Sequence, residues 1–305
     1  MEDNLYNAIE KMNKEKIDLK NSKEYKIGNA ITNNLDLVTK FKFKKIMNNI
    51  KNKYLKRVIN KKYYHPQTII DEKYNNIKYK EKKIAIYTCI IGNYDDIQIP
   101  LIEFDNVDYF IFSDDIEKYK DYRKYFKLVQ IKKEILERGD IVANRYVKLH
   151  PIDFFKDYDY SIYIDGNVRI ISDVRTFINK CSDETGIAMH THRERNDIYE
   201  EAKVCKLLKR GNLKKIDEQM QRYSKEGFPS DFGMNEATII VSDLNNAESI
   251  RLLDEWYREF VKTESLRDQL SWPYVLWKNN YMISDIGSLG NNIYQNYKVE
   301  MVKHK

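Results

Sequence analysis

Cysteine is scarce in this chain, and so are glycine, proline and long apolar runs. The three cysteines, Cys89, Cys181 and Cys205, are widely spaced and form no Cys-x-x-Cys pair. A zinc site and a disulfide framework are therefore disfavoured, and a reducing compartment is favoured. No stretch approaches the roughly 18 apolar residues of a membrane span. The first residues have neither the basic nor the apolar part of a secretion signal. We therefore expect a cytoplasmic protein.

Only 10 of the 305 residues are glycine, and no glycine-based nucleotide or nucleophile motif is present. The chain has no Walker loop, no Gly-x-Gly-x-x-Gly and no Gly-x-Ser-x-Gly, which excludes the usual signatures of P-loop enzymes, dinucleotide-binding domains and α/β-hydrolases. Hydrophobic residues make up 42% and charged residues 33%. This composition predicts a soluble protein with a full core, in one large domain or two small ones.

Positive charge is concentrated near the N-terminus. Residues 1–83 carry 21 Lys and Arg against 10 Asp and Glu, whereas residues 84–305 carry 32 against 37, which together give the net charge of +6. Apolar side chains recur at helical spacing between lysines over residues 43–58, which predicts a basic amphipathic helix. Such a helix either lies on an anionic membrane, here the inner face, or packs on a domain with a solvated lysine face. Nucleic-acid binding is disfavoured because no recognised motif is present. We interpret residues 1–82 as a basic, mainly helical N-terminal extension.

From residue 83 onwards, strand-like and helix-like patterns alternate. Residues 84–91 and 107–112 are near-continuous apolar runs, typical of strands buried on both faces of a parallel sheet. Further strands are predicted at 126–131, 160–164, 186–190 and 237–241, and helices at 141–149, 174–180, 196–209, 213–226, 247–263 and 267–278. The alternation predicts an α/β fold with a mostly parallel sheet flanked by helices, in one domain over residues 83–305.

One carboxylate directly follows the predicted strand at 160–164. Asp165, Gly166 and Asn167 stand between this apolar run and a second one that begins at Val168. Ligand sites in open α/β sheets lie just beyond the carboxyl ends of strands. Mg²⁺ and Mn²⁺ prefer oxygen ligands and usually share them with substrate phosphates. The pattern therefore favours an enzyme that binds a nucleotide sugar, with a plain strand-turn-strand as the alternative.

Several segments, taken in order, resemble one known family. Arg145 with Lys148, followed by Tyr158–Asn167, resembles the donor-site segment of GT-A glycosyltransferases. The seven segments that match one more specific family are Tyr87–Asp95, Phe112–Asp115, Tyr163–Asn167, His190–Arg193, Ile198–Ala202, Gly227–Pro229 and Arg267–Ser271. Together they are similar to the TOD/MUCI glycosyltransferase-like domain of plant mucilage-related proteins and bacterial polysaccharide clusters. The resemblance covers roughly residues 84–285 and implies a GT-A-like (Rossmann-like) fold. In one departure, the sequence reads Asp-Gly-Asn where many metal-dependent members of the wider class have Asp-x-Asp.

The resemblance also implies which residues form the site. The implied donor-binding residues are Tyr87, Thr88, Tyr94, Asp95, Asp114, Asp115, Arg145, Lys148, Asp165, Gly166, Asn167, His190 and Arg193. The implied catalytic residues are Asp268, Gln269 and Glu201, with Asp268 as the general base or as a carboxylate that positions the sugar. Mn²⁺ or Mg²⁺ would bind at Asp165 and Asn167, and the single carboxylate leaves metal dependence open. His304 is a further candidate ligand, with a frayed tail as the alternative.

The chemistry of several of these residues supports such roles, but each residue also has a purely structural interpretation. Tyr87 and Tyr94 can stack on a base, or they can be ordinary tyrosines of a Tyr-rich chain. Arg145 and Lys148 lie three residues apart on one helical face. There they can neutralise a diphosphate, or they can form a solvated face.

We expect a hexosyltransferase-like enzyme of bacterial surface-polysaccharide or capsule assembly. It would move a sugar from a nucleotide-sugar donor to a saccharide or lipid-linked saccharide, with retention or inversion left open. Three alternatives stand beside this function. They are a catalytically silent nucleotide- or carbohydrate-binding module, a membrane-peripheral scaffold built on the basic N-terminus, and a glycoside hydrolase that uses Asp165 with Asp268.

Overall fold

The computed structural model describes residues 2–29, 62–64 and 77–303. The chain divides into two units, Met1–His65 and Pro66–Lys305, so the division falls before the predicted boundary at 82/83. In the first unit, helix α1 (Glu2–Asn21) is followed by a helical stretch over residues 23–29. The amphipathic helix predicted at 43–58 lies outside the described residues. Within the described ranges, no helix is long and apolar enough to cross a membrane.

The second unit is built on a seven-stranded sheet. Its strands are β1 (Ile84–Ile90), β2 (Val107–Ser113), β3 (Lys127–Gln130), β4 (Tyr160–Ile164), β6 (Ile187–Thr191), β7 (Asn235–Asp243) and β8 (Gly287–Ser288). They follow the order β3-β2-β1-β4-β7-β6-β8, and β7 runs against the other six. The predicted mostly parallel α/β sheet is therefore confirmed.

Helices surround this sheet in the predicted alternation. They are α2 (Lys133–Leu136), α3 (Asp140–Leu149), α4 (Pro151–Phe154), α5 (Ile198–Leu207), α6 (Leu213–Lys225), α7 (Ala247–Thr263) and α8 (Asp268–Lys278). Short 3-10 helices cover Tyr79–Glu81, Glu117–Tyr122, Val174–Lys180, Ile283–Asp285 and Ile293–Gln295. The segment at 174–180 is thus a tighter helix than expected. Helix α3 ends one residue before His150, as the Pro151 ring favours.

The main core lies between the sheet and helices α3, α7 and α8. Every residue of β1 and of β4 is buried, which explains why their sequences are apolar without alternation. Four aromatic rings meet in this core, those of Tyr87, Phe112, Phe155 and Tyr163. This packing holds the carboxyl ends of β1, β2 and β4 at one edge of the sheet.

A second, two-stranded sheet brings the end of the described chain to the same edge. Strands β5 (Val168–Ile170) and β9 (Val299–Met301) pair antiparallel. Just beyond them, the Val302 N–H donates to the Asn167 carbonyl at 2.8 Å, and the Asn167 Nδ2 donates to the Val302 carbonyl at 3.1 Å. The loop at Asp165–Asn167 is therefore fixed both by the strand before it and by the C-terminal segment.

Candidate active site

Polar side chains gather where β1, β2 and β4 end. The Asp114 carboxylate, after β2, accepts the Gly92 N–H with both oxygens at 3.2 Å. The loop after β1 then reaches the loop after β4. An added Cβ at Gly166 would lie 3.1 Å from the Asp95 Cβ and 3.2 Å from Ile90, a tight contact that glycine avoids where the two loops approach each other. The edge is therefore compact and its loops hold one another in place.

Asp165 stands at the exposed side of this edge. Its N–H donates to the Thr238 carbonyl at 3.0 Å, which extends the β4–β7 pairing by one residue. Its Oδ1 accepts a hydrogen bond from the Tyr163 hydroxyl at 2.9 Å. Asp165 is half-buried, and no Lys or Arg of the described chain forms an ion pair with it. Its carboxylate therefore keeps capacity to bind a ligand.

Asp268 lies at the first residue of α8 in a quite different setting. Its Oδ2 is 3.0 Å from the Arg145 Nε and 3.0 Å from the Lys148 Nζ, and its side chain is 5% exposed. Burial alone would raise the pKa of this carboxyl, but Arg145, Lys148 and Arg267 hold it well below its usual range. The pKa of Arg145 is raised against the effect of its burial, chiefly by Asp268. The three groups form a fixed, charged cluster.

A second buried ion pair lies at the start of α5. The Glu201 carboxylate accepts a short hydrogen bond from the Arg195 Nε, and the Cys205 thiol donates to its other oxygen at 3.3 Å. Arg267 approaches the same carboxylate at 4.0 Å. Burial would raise the pKa of Glu201, but His192, Arg195 and Arg267 lower it. Glu201 is therefore a permanently charged anchor for the loop after β6 and for the residue before Asp268.

The start of α8 is fixed against the start of β7. The Gln269 Nε2 donates to the Asn235 carbonyl at 3.0 Å, and the Trp272 Nε1 donates to the Asn235 Oδ1 at 3.0 Å. The Trp256 Nε1 donates to the Asp268 carbonyl at 2.8 Å. The sequence analysis did not identify Asn235 or its neighbour Glu236. The only signal for either was a polar pair directly before the apolar run 237–241.

Four residues predicted to bind the donor are buried, and their donor-binding roles stay predictions. Tyr87 is 2% exposed, its ring is enclosed by other rings, and its hydroxyl donates to the Lys148 carbonyl at 2.7 Å. Thr88 is buried in the middle of β1. His190 is fully buried, with Nε2 2.9 Å from the Asn296 Nδ2. Lys148 is 2% exposed and its ammonium is paired with Asp268.

Two residues predicted to be catalytic, Asp268 and Glu201, are also buried, and their catalytic roles stay predictions. A general base must be able to reach and accept a proton. Asp268 is buried between cations that favour its charged form, so proton uptake there is strongly disfavoured. Glu201 is 4% exposed and its two oxygens are occupied by Arg195 and Cys205. Asp268 and Glu201 therefore hold neighbouring cations in place. The alternative prediction, that Asp268 positions the sugar, stays open because Asp268 holds Arg145.

The other predicted residues lie at the edge of the site, and their roles stay predictions. Tyr94 is 69% exposed, and Asp115 is exposed. Asp95 is buried against the Gly166 loop. Arg193 forms an ion pair with Glu194 at 2.7 Å and lies 4.3 Å from the centre of the Tyr294 ring. Gln269 is buried and held by Asn235.

Asp165 and Asn167 are the candidate ligands for a divalent metal. No cluster of three or more His, Cys, Asp or Glu side chains suited to a metal occurs among the described residues. Asp165 and Asn167 supply one carboxylate and one amide in a fixed loop. Mg²⁺ commonly binds through one or two carboxylates and takes its remaining ligands from substrate phosphates and water. The residues present fit a metal that arrives with a diphosphate. His304 lies outside the described residues.

Comparisons with known proteins place this geometry in context. Residues 39–303 match the model of the family TOD1/MUCI70, glycosyltransferase-like domain. A search of curated proteins finds no match. Among solved structures, the galactosyltransferase LgtC in complex with donor and acceptor sugar analogs is 11% identical, with TM-score 0.43 over 72% of this chain and 86% of that one. Mouse xyloside xylosyltransferase 1, apo form, is 8% identical, with TM-score 0.43 over 65% and 83%.

The apo structure of the bifunctional glycosyltransferase WbbM is 14% identical to this chain, with TM-score 0.39 over 68% of this chain. This chain spans 39% of the length of WbbM. The family match, in contrast, extends over most of the present sequence. The predicted family is therefore confirmed, and the chain belongs to the TOD1/MUCI70 glycosyltransferase-like domain family.

Proposed function

We propose that this glycosyltransferase moves a hexosyl group from a nucleotide-sugar donor to a saccharide or lipid-linked saccharide acceptor. One observation carries the proposal. At the carboxyl ends of β1 and β4, the half-buried carboxylate of Asp165, which forms no ion pair with a Lys or Arg of the described residues, lies near Arg145, which Asp268 holds in place. A nucleoside diphosphate needs both a cation and a metal-binding carboxylate, and strand ends of α/β sheets are where such ligands bind.

Different residues at this edge bind different parts of the donor. The exposed ring of Tyr94 supports stacking on the base. Asp114 and Asp115, which follow β2, would accept hydrogen bonds from the ribose hydroxyls. The Arg145 guanidinium keeps hydrogen-bond donors beyond the Nε that faces Asp268, and a planar guanidinium suits phosphate oxygens. Asp268 therefore serves the donor indirectly, because it orients the group that binds the diphosphate.

A divalent metal at Asp165 and Asn167 would stabilise the charge that grows on the departing nucleoside diphosphate. The protein itself fixes the loop that holds these residues. The Tyr163 hydroxyl orients Asp165, and Val302 holds Asn167. Asn235 and Gln269 are buried, and their hydrogen bond holds the start of α8 against the start of β7.

We also propose a cellular role for the enzyme. The enzyme acts in the cytoplasm in bacterial surface-polysaccharide or capsule assembly, and the basic residues 1–82 hold it near a lipid-linked acceptor on the inner face of the membrane. The excess of Lys and Arg in this segment supports the idea, because anionic lipids attract clustered basic residues. Flotation with vesicles containing phosphatidylserine, compared for the full chain and residues 83–305, tests it. Equal flotation of both would contradict it.

The first test of the function is donor binding. Purified protein is screened by thermal shift against UDP-, GDP-, CMP- and dTDP-sugars, with and without Mn²⁺. A ligand that binds only the native state stabilises it by about 2.7 kcal/mol at one hundred times its Kd. We expect a shift with one nucleotide family that disappears in Asp165→Ala and persists in Asp121→Ala, an exposed control. Binding without release of nucleoside diphosphate would favour the silent binding module.

A further inference from the structure

A cavity of about 510 Å³ lies beyond the end of β8. It is enclosed by the 3-10 helix Val174–Lys180 and by the segment Leu289–Lys298. Cavities of about 300–1,000 Å³ commonly hold small molecules. The residues that line this cavity are all different from those assigned to the donor. It is therefore a candidate site for a second ligand.

The wall of the cavity is rich in side-chain amides, those of Asn291, Asn292, Gln295 and Asn296. An amide side chain carries two N–H donors and a carbonyl acceptor, and a hydroxyl both donates and accepts hydrogen bonds. The side chains of Asn291 and Gln295 are exposed, and in the described part of the chain their amides form no hydrogen bond. They are therefore available to a ligand with many hydroxyls, as a saccharide has.

The segment that carries these amides is held in place on two sides. Towards β6, the Asn296 Nδ2 lies 2.9 Å from the Nε2 of the buried His190. Towards β5, the Lys298 carbonyl accepts the Ile171 N–H at 3.0 Å. A pre-formed wall of this kind is typical of a ligand site. The cavity therefore keeps its shape through the fold itself.

The charge in the cavity wall is of one sign. Lys180 and Lys298 are both partly buried there, and no Asp or Glu of the described residues lines the cavity. The Lys298 ammonium lies 5.6 Å from the centre of the Tyr297 ring, which offers an apolar face to the C–H side of a sugar. Ammonium groups form charge-assisted hydrogen bonds with carboxylates and phosphates. The wall therefore favours a saccharide that carries negative charge.

The cavity lies one short strand away from the loop predicted to bind the metal. Lys298 directly precedes β9, which pairs with β5, and β5 begins one residue after Asn167. Three residues of extended chain span about 10 Å. A saccharide chain with one end at the Asp165 loop therefore reaches the cavity with its following units.

We propose that this cavity binds an anionic stretch of the acceptor saccharide, whose sugars carry carboxylate or phosphate groups. The inference rests on the proposed transferase function. The reacting end of the acceptor lies at the Asp165 loop, and the charged sugars behind it occupy the cavity. There the amides bind sugar hydroxyls, and Lys180 and Lys298 bind the anionic groups.

The test is titration calorimetry on the full chain with three probes. They are an oligogalacturonide, which carries carboxylates, its neutral methyl ester, and an oligosaccharide joined by phosphodiester groups. We expect one of the two anionic probes to bind, which identifies the anionic group. The neutral ester should bind at least tenfold more weakly than the oligogalacturonide if the group is a carboxylate.

Three variants locate the binding in the cavity. Lys298→Gln should weaken binding of the anionic probe about tenfold, equivalent to about 1.4 kcal/mol. Asn291→Ala, which breaks no side-chain hydrogen bond of the described fold, should weaken it about fivefold. The control Lys156→Gln, an exposed position before β4 at the opposite edge of the sheet, should bind as the wild type does. The thermal shift caused by the donor should be the same in all four proteins.

The outcomes separate this inference from the function on which it rests. If a nucleotide sugar shifts the wild type but neither anionic probe binds, the acceptor inference alone is wrong. It is also wrong if Lys298→Gln and Asn291→Ala bind the anionic probe as tightly as Lys156→Gln does. Loss of the donor shift in Lys298→Gln would assign the cavity to the donor and overturn the acceptor role. If an anionic probe binds in the cavity but no nucleotide sugar is bound or cleaved, the transferase function fails, and the acceptor role fails with it.

Discussion

Two groups of charged residues lie a few side chains apart in this site, and they differ in exposure. The buried cluster consists of Asp268, Glu201, Lys148 and Arg195, whose side chains are 2–6% exposed and paired with opposite charges. The rim consists of Asp165 and Glu236, which are half-buried and form no ion pair with a Lys or Arg of the described residues. The same residue types have opposite uses in the two groups. A buried, paired charge fixes shape, whereas a partly exposed, unpaired one is free to bind and react.

The largest effect should come from the buried cluster. Asp268→Asn keeps the shape of the side chain but leaves Arg145 and Lys148 without their counter-charge in a buried place. Removing one partner of a buried pair destabilises proteins by about 3–5 kcal/mol. We expect a loss of this size in the free energy of unfolding, measured by urea denaturation.

The exposed residue Asp121 provides the control for this substitution. Asp121→Asn should stay within about 0.5 kcal/mol of the wild type. If Asp268→Asn is as stable as this control and loses only turnover, the buried cluster is not structural. Asp268 would then belong with the rim.

A rim carboxylate should show the reverse pattern. Asp165→Ala removes the hydrogen bond from the Tyr163 hydroxyl and, among the described residues, breaks no ion pair with Lys or Arg. The loss of stability should be about 1 kcal/mol. Turnover should fall at least 100-fold, equivalent to about 2.7 kcal/mol of transition-state stabilisation. Steady-state kinetics and urea denaturation on one preparation check both values. A fall in stability as large as that of Asp268→Asn would remove the distinction between the two groups.

The sequence located the strands well because a buried strand is a continuous apolar run. The runs that became β1 and β4 were identified within one residue, and helix α7 had the predicted bounds. Strand β5 was expected only as the second strand of the strand-turn-strand alternative, and β8 and β9 were missed, because each has only two or three residues and is defined by its partner. The reversed direction of β7 was also beyond reach, since pattern alone does not show direction.

The sequence predicted where candidate site residues lie along the chain, but not whether their side chains point to the site or into the core. Arg145 and Lys148 share one helical face, as expected, and both point to Asp268. Yet Lys148 lies deeper and is buried, whereas Arg145 remains 22% exposed. Tyr87 and Tyr94 are seven residues apart with almost opposite exposure. Depth depends on tertiary packing, which neither spacing nor residue type reveals.

His190 is buried, and the pH dependence of stability shows how its burial affects its titration. Burial lowers the pKa of His190 to about 3, whereas an unfolded histidine has a pKa of about 6.5. Below pH 6.5 the unfolded state binds a proton that the folded state does not, so stability falls as the pH falls, until about pH 3. Between pH 7 and pH 5 this group should cost about 2 kcal/mol.

Comparison with a variant isolates this contribution. His190→Gln keeps an acceptor for Asn296 and lacks the titrating group. Its free energy of unfolding should change less between pH 7 and pH 5, by about 2 kcal/mol relative to the wild type. Parallel curves for the two proteins would mean that the pKa of His190 is the same in the folded and unfolded states, as expected for an exposed residue.

The smallest effect should come from the ring of Tyr94 and concerns affinity alone. Stacking of one base on an aromatic ring contributes about 1–3 kcal/mol. Tyr94→Ala should therefore weaken donor binding about tenfold, whereas Tyr94→Phe, which keeps the ring, should bind as the wild type does. Tyr87→Phe is the counterpart in the core. It loses the hydrogen bond to the Lys148 carbonyl, so it should cost about 1 kcal/mol of stability and leave donor affinity unchanged. Titration calorimetry with the donor and urea denaturation measure the two quantities. If instead Tyr87→Phe lowered affinity and Tyr94→Ala did not, exposure would be the wrong guide to function in this site.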